Sequence, residues 1–303
     1  MEVLLVSTGA PGSAEALEAL EAPWQTDCSW SVQDSVALQK DIIKFNPADQ
    51  GLGVKTINIL LCGGVGAGKS SIVSTVDSFF QGRISRRAPH GQGTGSLTRK
   101  LRKYKFTDPD TKKPVHWQLW DSMGWGTNDY KKGELGFILD GNLPNGCKLD
   151  ENISMKTAGF NKQPSVEDEV HCVCLVVPCD AASDDSYMER LREMRQFARE
   201  REIPTLVFLT KIDKYDPDVI GEDLTKTFYS ARLLSLMEDL EESSGVGGRK
   251  DILPIKNLSK ETEPTGEAGV LVCRALQQAL YAAVDYLKEC DYLDTREEDS
   301  ELS

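Results

Sequence analysis

Residues 57–71 read INILLCGGVGAGKSS and join a short apolar run to a glycine-rich turn. In this stretch Gly63, four further residues and then Gly68, Lys69 and Ser70 have the spacing of a phosphate-binding loop (P-loop) that opens a helix. The glycines let backbone N–H groups turn toward phosphate oxygens, Lys69 adds a positive charge, and Ser70 offers a hydroxyl to Mg²⁺. We therefore predict a nucleotide site with Mg²⁺ as cofactor, the alternative being a glycine-rich turn without a ligand.

The sequence on either side of the loop supports this prediction. The run that contains Ile57, Ile59, Leu60 and Leu61 suits a strand buried on both faces, and residues 71–80 place apolar side chains at helical spacing. The positive end of that helix's dipole then faces the bound anion. We expect the phosphate contacts from Gly63, Gly66, Ala67, Gly68, Lys69, Ser70, Ser71 and the more distant Gly124.

The length of the chain allows one large α/β domain with extensions or two small domains, and one domain is preferred. The 303 residues include 35 Lys and Arg against 48 Asp and Glu, a net charge of −13 that disfavours nonspecific binding to nucleic acid or anionic membrane. The eight cysteines form no CxxC pair, and the N-terminus lacks the basic region of a signal peptide. No stretch approaches the roughly 18 apolar residues of a membrane span. We expect a cytoplasmic protein without a membrane span or a nucleic-acid partner.

Apolar runs and helical patterns alternate from residue 55 onward, which is typical of a parallel sheet covered by helices on both faces. The predicted strands are 55–62, 97–106, 115–120, 170–177, 205–209 and 252–255. The predicted helices are 71–80, 184–202, 223–241 and 268–287. Because strand 97–106 mixes apolar and basic side chains, it is expected at a sheet edge with one wet face.

Three segments are expected along the chain. Residues 1–50 form an N-terminal extension with a helix over 34–45 capped by Asp34, the alternative being disorder. Residues 51–290 form the main domain, in which 125–168 are polar and without clear period, as in functional or mobile loops. Residues 291–303 are acidic and are predicted to be a disordered tail.

A second motif follows the strand at 115–120. There Asp121, two further residues and Gly124 form a DxxG, in which the carboxylate can hold Mg²⁺ through water while the glycine N–H approaches a γ-phosphate. A switch threonine is expected between the first helix and this strand, and Thr98 is preferred over its rival Thr94. The predicted metal ligands are therefore Ser70, Thr98 and Asp121.

A third motif distinguishes the nucleotide bases. Strand 205–209 leads into Thr210, Lys211, Ile212 and Asp213, which resemble the base-recognition motif of GTPases. The Asp accepts hydrogen bonds from guanine N1–H and the exocyclic amine, a pair that adenine lacks. The stem of Lys211 covers the base plane. Thr210 stands where Asn is more usual, which is expected to weaken the support of the neighbouring loop.

The end of the last strand completes the predicted base site. Asn257, Leu258 and Ser259 follow strand 252–255, where a backbone N–H can meet the guanine carbonyl oxygen. We expect guanine contacts from Thr210, Lys211, Asp213, Asn257 and Leu258. With these motifs in order, the fold class is predicted as α/β, a P-loop GTPase-like mostly parallel sheet with helices on both faces.

Together these segments resemble the interferon-induced protein 44 family, a branch of dynamin-like and immunity-type GTPases. The resemblance covers residues 23–287 and includes the stretches ILLCGGVGAGKSSIVSTVDSFFQG, GTGSLTRK, WQLWDSMGW, HCVCLVV, LTKID and LPIKNLS. It implies a cytoplasmic, interferon-inducible protein of vertebrate innate immunity with antiviral or antiproliferative roles and GTP or GDP as ligand.

The residues leave the catalytic step open. Trp125 directly follows the DxxG, where many small GTPases carry a glutamine that orients the attacking water, so slow intrinsic hydrolysis is expected. Arg83, Arg86 and Arg87 precede the predicted switch, and one of them is a candidate arginine finger; the alternative is that they only decorate a loop.

Two function classes remain. One is a slow GTPase whose nucleotide state orders switch regions and drives homo-oligomerisation or partner binding. The other is a GTP-binding interaction scaffold without significant turnover. An ATP-dependent enzyme of the same loop class is a third reading, against which Asp213 argues.

Overall fold

Six strands form one sheet in the computed structural model of the chain, which describes residues 19–88, 100–125, 132–149, 152–221 and 223–301. The strands are β1 (Ile57–Cys62), β2 (Arg102–Thr107), β3 (Pro114–Asp121), β4 (Cys172–Pro178), β5 (Thr205–Thr210) and β6 (Ile252–Ile255). Their order is β2-β3-β1-β4-β5-β6, and every neighbouring pair is parallel except β2 and β3. The predicted mostly parallel α/β fold, with β2 at an edge, is confirmed.

β1 is the strand from which the site is built. All six of its residues are buried, as expected for a strand covered on both faces. In the sheet β3 lies on one side of β1 and β4 on the other, so the strand order reverses beside β1. In open α/β sheets the crevice at the carboxyl ends of strands beside such a reversal is the usual ligand site. The P-loop begins at this point of the sheet.

The helices cover both faces, as predicted. The described chain contains α1 (Val32–Lys44), α2 (Lys69–Gln81), α3 (Lys132–Leu139), α4 (Asp185–Arg199), α5 (Ile212–Tyr215), α6 (Ala231–Ser244) and α7 (Gly266–Glu301). One apolar core contains Leu60 of β1 with side chains of α3, α4 and α6. A second core contains Ile59 and Leu61 with side chains of α1, α2 and α7. Alternate residues of β1 therefore enter opposite cores.

The segment 125–168 contains a helix that the sequence pattern did not reveal. α3 is only eight residues long, and its buried Leu135 and Ile138 span too few turns to establish a period. Asp140 directly follows the helix. Both of its carboxylate oxygens accept hydrogen bonds from Arg201, at 2.5 and 3.0 Å. α3 is thus packed in the apolar core, and the Arg201–Asp140 pair holds the residue that follows it.

The described part of the N-terminal extension, residues 19–50, packs on the main domain. The cap of α1 is Ser31, not Asp34, because Ser31 Oγ accepts the N–H of Asp34 at 3.1 Å and donates to its carboxylate at 2.6 Å. The indole Nε1 of Trp117 in β3 donates to the carbonyl of Ile42 at 2.9 Å. The helix is therefore fixed to the sheet by a buried hydrogen bond as well as by apolar contact.

The C-terminal helix is longer than expected. α7 runs to Glu301 and so includes most of the acidic segment for which disorder is expected, a stretch with several Glu, Arg and Leu residues of high helix propensity. All eight cysteines carry free thiols. Within the described ranges, no helix combines the length and apolar character needed to cross a membrane.

The buried amide of Asn58 in β1 leads to a prediction about stability. The amide donates to the carbonyls of Glu167 and Glu169 at 2.9 and 2.6 Å and accepts from Gln118 Nε2 at 2.7 Å. Because Asn58→Leu leaves these three groups without that partner, we expect the free energy of unfolding to fall by about 2–4 kcal/mol in urea titrations. Gln33→Leu on the exposed side of α1 is the control, expected to change it by less than about 0.5 kcal/mol. If the two substitutions lowered the free energy of unfolding equally, the hydrogen bonds of Asn58 would not stabilise the fold.

Candidate functional site

Lys69 is folded back onto the P-loop. Its Nζ donates to the carbonyls of Gly63 at 2.7 Å and Gly64 at 3.0 Å. Burial lowers the pKa of the ammonium, and this effect outweighs the opposing attraction of Asp121 and Cys62. A buried cation held only by neutral carbonyls is stabilised by an approaching anion. The geometry therefore agrees with the predicted phosphate contact.

Ser70 and Asp121, two of the predicted metal ligands, lie together. Ser70 Oγ donates to Asp121 Oδ2 at 2.6 Å, and Asp121 is fully buried at the end of β3. A hydroxyl and a carboxylate are oxygen donors of the kind that Mg²⁺ prefers, so this pair fits the cation. The proposed third ligand, Thr98, and its rival Thr94 lie outside the described residues.

The DxxG segment runs alongside the P-loop. A Cβ on Gly124 would lie 2.8 Å from the Cα and N of Val65, so only glycine fits there without a shift. The next residue, Trp125, accepts the N–H of Val65 through its carbonyl at 2.9 Å and forms a parallel bridge with Gly64. The two motifs that the sequence places about 55 residues apart are thus in direct backbone contact.

Tyr187 of α4 supports this contact and was not identified from the sequence. Its hydroxyl accepts the N–H of Gly64 at 3.0 Å and donates to the carbonyl of Val176 at 2.8 Å. Its ring lies 5.3 Å from that of Trp125, which is only 6% exposed. Burial raises the pKa of the Tyr187 phenol, so the donating proton is retained at neutral pH. The side chain of Trp125 is therefore part of the packing behind the loop.

Thr210 supports the P-loop from the other side. Its hydroxyl donates to the carbonyl of Ala67 at 2.7 Å, and the side chain is fully buried. From the sequence, a threonine at this position is expected to support the neighbouring loop less well than asparagine. In the structure the threonine hydroxyl does contact the P-loop. Next to it, Lys211 has a left-handed backbone with φ of 63°, a strained conformation for a side chain of this kind. Its Nζ pairs with both carboxylate oxygens of Asp180 at 3.1 and 3.0 Å.

A cavity of about 910 Å³ joins the predicted phosphate and base residues. Gly66, Ala67, Gly68 and Ser71 line it from the P-loop, and Lys211, Asp213, Asn257 and Leu258 line it from the ends of β5 and β6. The backbone of Gly66 and Gly68 is left-handed, with φ of 75° and 105°. The structure therefore brings part of each predicted set to one cavity at the carboxyl end of the sheet. The other predicted residues are not among those that line it, namely Gly63, Lys69, Ser70, Gly124 and Thr210.

The loop after β6 is bonded to the P-loop and its helix. Asn257 Nδ2 donates to the carbonyl of Gly68 at 3.3 Å, and Asn257 Oδ1 accepts from Thr75 Oγ1 at 3.4 Å. The same Thr75 hydroxyl accepts the backbone N–H of Leu258 at 3.1 Å. The sequence assigns Asn257 and Leu258 to guanine. In this structure the Asn257 amide and the Leu258 N–H instead connect the loop after β6 to the P-loop and to α2.

Glu261 is a further side chain of this loop that the sequence analysis did not single out. Its carboxylate accepts the N–H groups of Ser259 at 2.5 Å and Lys260 at 2.9 Å, and it pairs with Lys256. Burial alone would raise the pKa of Glu261, but the hydrogen bonds from Lys256 and from the backbone lower it to about 2. The carboxylate is therefore ionised at neutral pH. An acidic residue just after a donor-rich turn is too weak a signal to predict this from sequence.

The three candidate arginines before the switch differ in their surroundings. Arg87 donates to Asp77 Oδ1 at 3.2 Å and to the carbonyl of Lys105 at 2.5 Å, and it lies 5.2 Å from the ring centroid of Phe106. These contacts favour a structural role for Arg87. Arg83 and Arg86 are exposed, and Arg86 lines a second cavity of about 630 Å³ beside the first.

Comparisons with known proteins support the resemblance drawn from the motifs. No family model matches the chain. Interferon-induced protein 44 from Pan troglodytes and from Homo sapiens are each 29% identical over 247 residues, 79% of this chain and 55% of each relative. Interferon-induced protein 44-like from Homo sapiens is 28% identical over 253 residues, 80% of this chain and 55% of that protein. The chain spans about half the length of these relatives, and the resemblance to the interferon-induced protein 44 family is confirmed.

A solved structure with similarity to the chain is that of a dimerization-deficient mutant of Toc33 from Arabidopsis thaliana. It has a TM-score of 0.45 and 18% identity, and the alignment covers 84% of this chain and 93% of that chain. At this score the likeness adds nothing to the sheet order described above.

The Tyr187 hydroxyl gives a second prediction. Tyr187→Phe keeps the ring on Trp125 but leaves the buried N–H of Gly64 without its acceptor, so we expect the free energy of unfolding to fall by about 1–3 kcal/mol. Tyr281→Phe removes the same group from a side chain of α7 that is 51% exposed and should leave stability within about 0.5 kcal/mol. Urea unfolding followed by circular dichroism measures both. A Tyr187→Phe variant as stable as the parent would show that the bond contributes nothing.

Proposed function

We propose that this relative of interferon-induced protein 44 binds GTP and GDP with Mg²⁺, uses the nucleotide as a switch and hydrolyses GTP slowly. The observation that carries the proposal is a cavity of about 910 Å³ lined both by residues of the P-loop and by Asp213. A triphosphate held on the loop would extend its base toward that carboxylate. The name of the relatives supports an interferon-induced protein. An antiviral role in the cytoplasm is part of the proposal.

The phosphate end rests on the P-loop and its neighbours. Lys69 can exchange its carbonyl partners at Gly63 and Gly64 for phosphate oxygens without leaving the loop. Ser70 and Asp121, 2.6 Å apart, would hold Mg²⁺ directly and through water. When bound, the cation neutralises negative charge on the phosphate oxygens. Ser71 lines the same cavity at the start of α2, where the helix dipole favours an anion.

The base end rests on Asp213. Its carboxylate can accept both guanine N1–H and the exocyclic amine, whereas adenine offers an acceptor at N1 and would leave the carboxylate desolvated and unpaired. Asp180 holds the ammonium of Lys211, and this pairing fixes the stem expected to lie along the base. Thr210 keeps this motif in register with the P-loop through Ala67.

Switching and slow turnover follow from the DxxG segment. Because Gly124 touches the backbone of Val65, a γ-phosphate on the loop would contact both motifs at once and bias the residues that follow. Trp125 has an indole N–H but no acceptor with which to orient water, and its ring is packed on Tyr187. This burial also favours the alternative function, a GTP-binding interaction scaffold without significant turnover. Homo-oligomerisation or partner binding through the switch regions would be the output in either case.

Base selectivity tests the proposal. We expect fluorescent GTP and GDP to bind with Mg²⁺ at least tenfold more tightly than ATP, and Lys69→Ala to abolish binding of all three. Asp213→Asn should shift the preference toward xanthosine nucleotides, since xanthine has a carbonyl where guanine has its amine. Asp218→Asn makes the same change at an exposed residue outside the lining of the cavity and should leave selectivity unchanged. Equal affinity for ATP and GTP would reject guanine recognition.

Phosphate release distinguishes a slow GTPase from a scaffold. We expect slow hydrolysis at low protein concentration, because Trp125 cannot orient water, and a rate per molecule that rises with protein concentration when assembly completes the site. Lys69→Ala is the control for contaminating phosphatase activity. Binding of GTP without release of phosphate at any concentration would favour the scaffold.

A further inference from the structure

The loop after β6 presents its hydrogen-bond donors to an internal acceptor. Ser259 N–H and Lys260 N–H both point at the same carboxylate oxygen, Glu261 Oε2, at 2.5 and 2.9 Å. The N–H of Leu258, one residue earlier, donates to Thr75 Oγ1. The backbone donors of this loop, where the sequence predicts that an N–H meets the guanine carbonyl, are thus already engaged. An entering base must compete for them.

The carboxylate is divided between two sets of partners. Glu261 Oε1 pairs with Lys256, while Oε2 accepts the two backbone N–H groups. The side chains of Lys256 and Glu261 are only 11% and 22% exposed, so their pairing is sheltered from water. The bonds made by Oε2 can break while Oε1 keeps its partner. Displacement from the donors therefore does not require an unpaired buried charge.

The neighbouring cavity gives the displaced carboxylate room. Glu261 lines both the 910 Å³ cavity and the 630 Å³ cavity, and Ser259 and Lys260 do so as well. The second cavity is also lined by Arg86, whose positive charge favours a carboxylate that turns in that direction. Residues 259–261 therefore line both the cavity of the proposed base site and the neighbouring 630 Å³ cavity.

We propose that Glu261 is a specificity-determining residue whose carboxylate competes with the C6 carbonyl of guanine for the N–H groups of Ser259 and Lys260. The inference rests on the proposed guanine-nucleotide function and refines it. A carboxylate and a carbonyl are both acceptors, and the ionised one forms the stronger bonds. Glu261 therefore lowers the affinity for guanine nucleotides below the value that the P-loop and Asp213 alone would give.

The test separates carbonyl recognition from simple charge removal. Glu261→Ala should tighten GTP binding about three- to tenfold, the worth of one or two uncovered hydrogen bonds. Binding of 2-aminopurine riboside triphosphate, which lacks the C6 carbonyl, should not tighten beyond the change seen in the control. That control is Glu267→Ala, which removes a carboxylate from the lining of the same cavity without touching the loop donors. Glu261→Gln, which keeps the size and one neutral acceptor, should show a smaller gain in the same direction and serves if the alanine variant does not fold.

Three results would overturn the inference. Equal tightening for both nucleotides, matched by Glu267→Ala, would mean that only charge repulsion had been relieved. Weaker binding of both nucleotides would mean that Glu261 holds the loop in its binding conformation. Unchanged GTP affinity would mean that these N–H groups do not meet the base. In each case the parent still binds GTP, whereas failure of the parent to bind would instead reject the proposed function.

Discussion

The P-loop is held in shape by hydrogen bonds from its backbone polar groups to four other parts of the chain. In the described structure, Tyr187 and Trp125 accept N–H groups of the loop, while Thr210 and Asn257 donate to its carbonyls. Each of these bonds matters because a buried backbone group left unpaired costs about 1–3 kcal/mol. The site is therefore a property of the whole sheet edge.

These four bonds fall into two pairs that match the two ends of the proposed ligand. Tyr187 and Trp125 hold Gly64 and Val65 beside the DxxG segment, which is the γ-phosphate end of the proposed ligand. Thr210 and Asn257 hold the second half of the loop beside the base end. The backbone of the loop therefore connects the phosphate end of the proposed ligand with its base end.

The sequence predicts the parts of the site whose chemistry is local. β1, the P-loop and α2 follow one another, so their spacing alone identifies them, and the motifs at strand ends converge because parallel strands share one carboxyl edge. Tyr187 could not be predicted, since it meets Gly64 across 123 residues and belongs to no motif. The helix α3 was missed because eight residues establish no period.

Thr210 shows a different limit of sequence reasoning. The sequence has threonine where the motif usually has asparagine, which suggests a weaker contact with the P-loop. A motif lists residue types, however, and does not give the distance that a side chain has to span. In the structure the backbone of β5 lies close enough to Ala67 for a threonine hydroxyl to reach at 2.7 Å. Whether a substitution weakens a contact depends on the geometry of both partners.

The same support of the loop explains why turnover is expected to be slow. Trp125 lies 6% exposed against Tyr187, and its carbonyl holds Val65, so position 125 serves the packing behind the P-loop. A glutamine there would have to leave this packing to reach an attacking water, and its departure would expose the ring of Tyr187. Water-orienting chemistry and loop support thus compete for one position. In this chain Trp125 packs on Tyr187 and supports the P-loop. A catalytic group for fast hydrolysis would then come from another part of the chain or from a partner molecule.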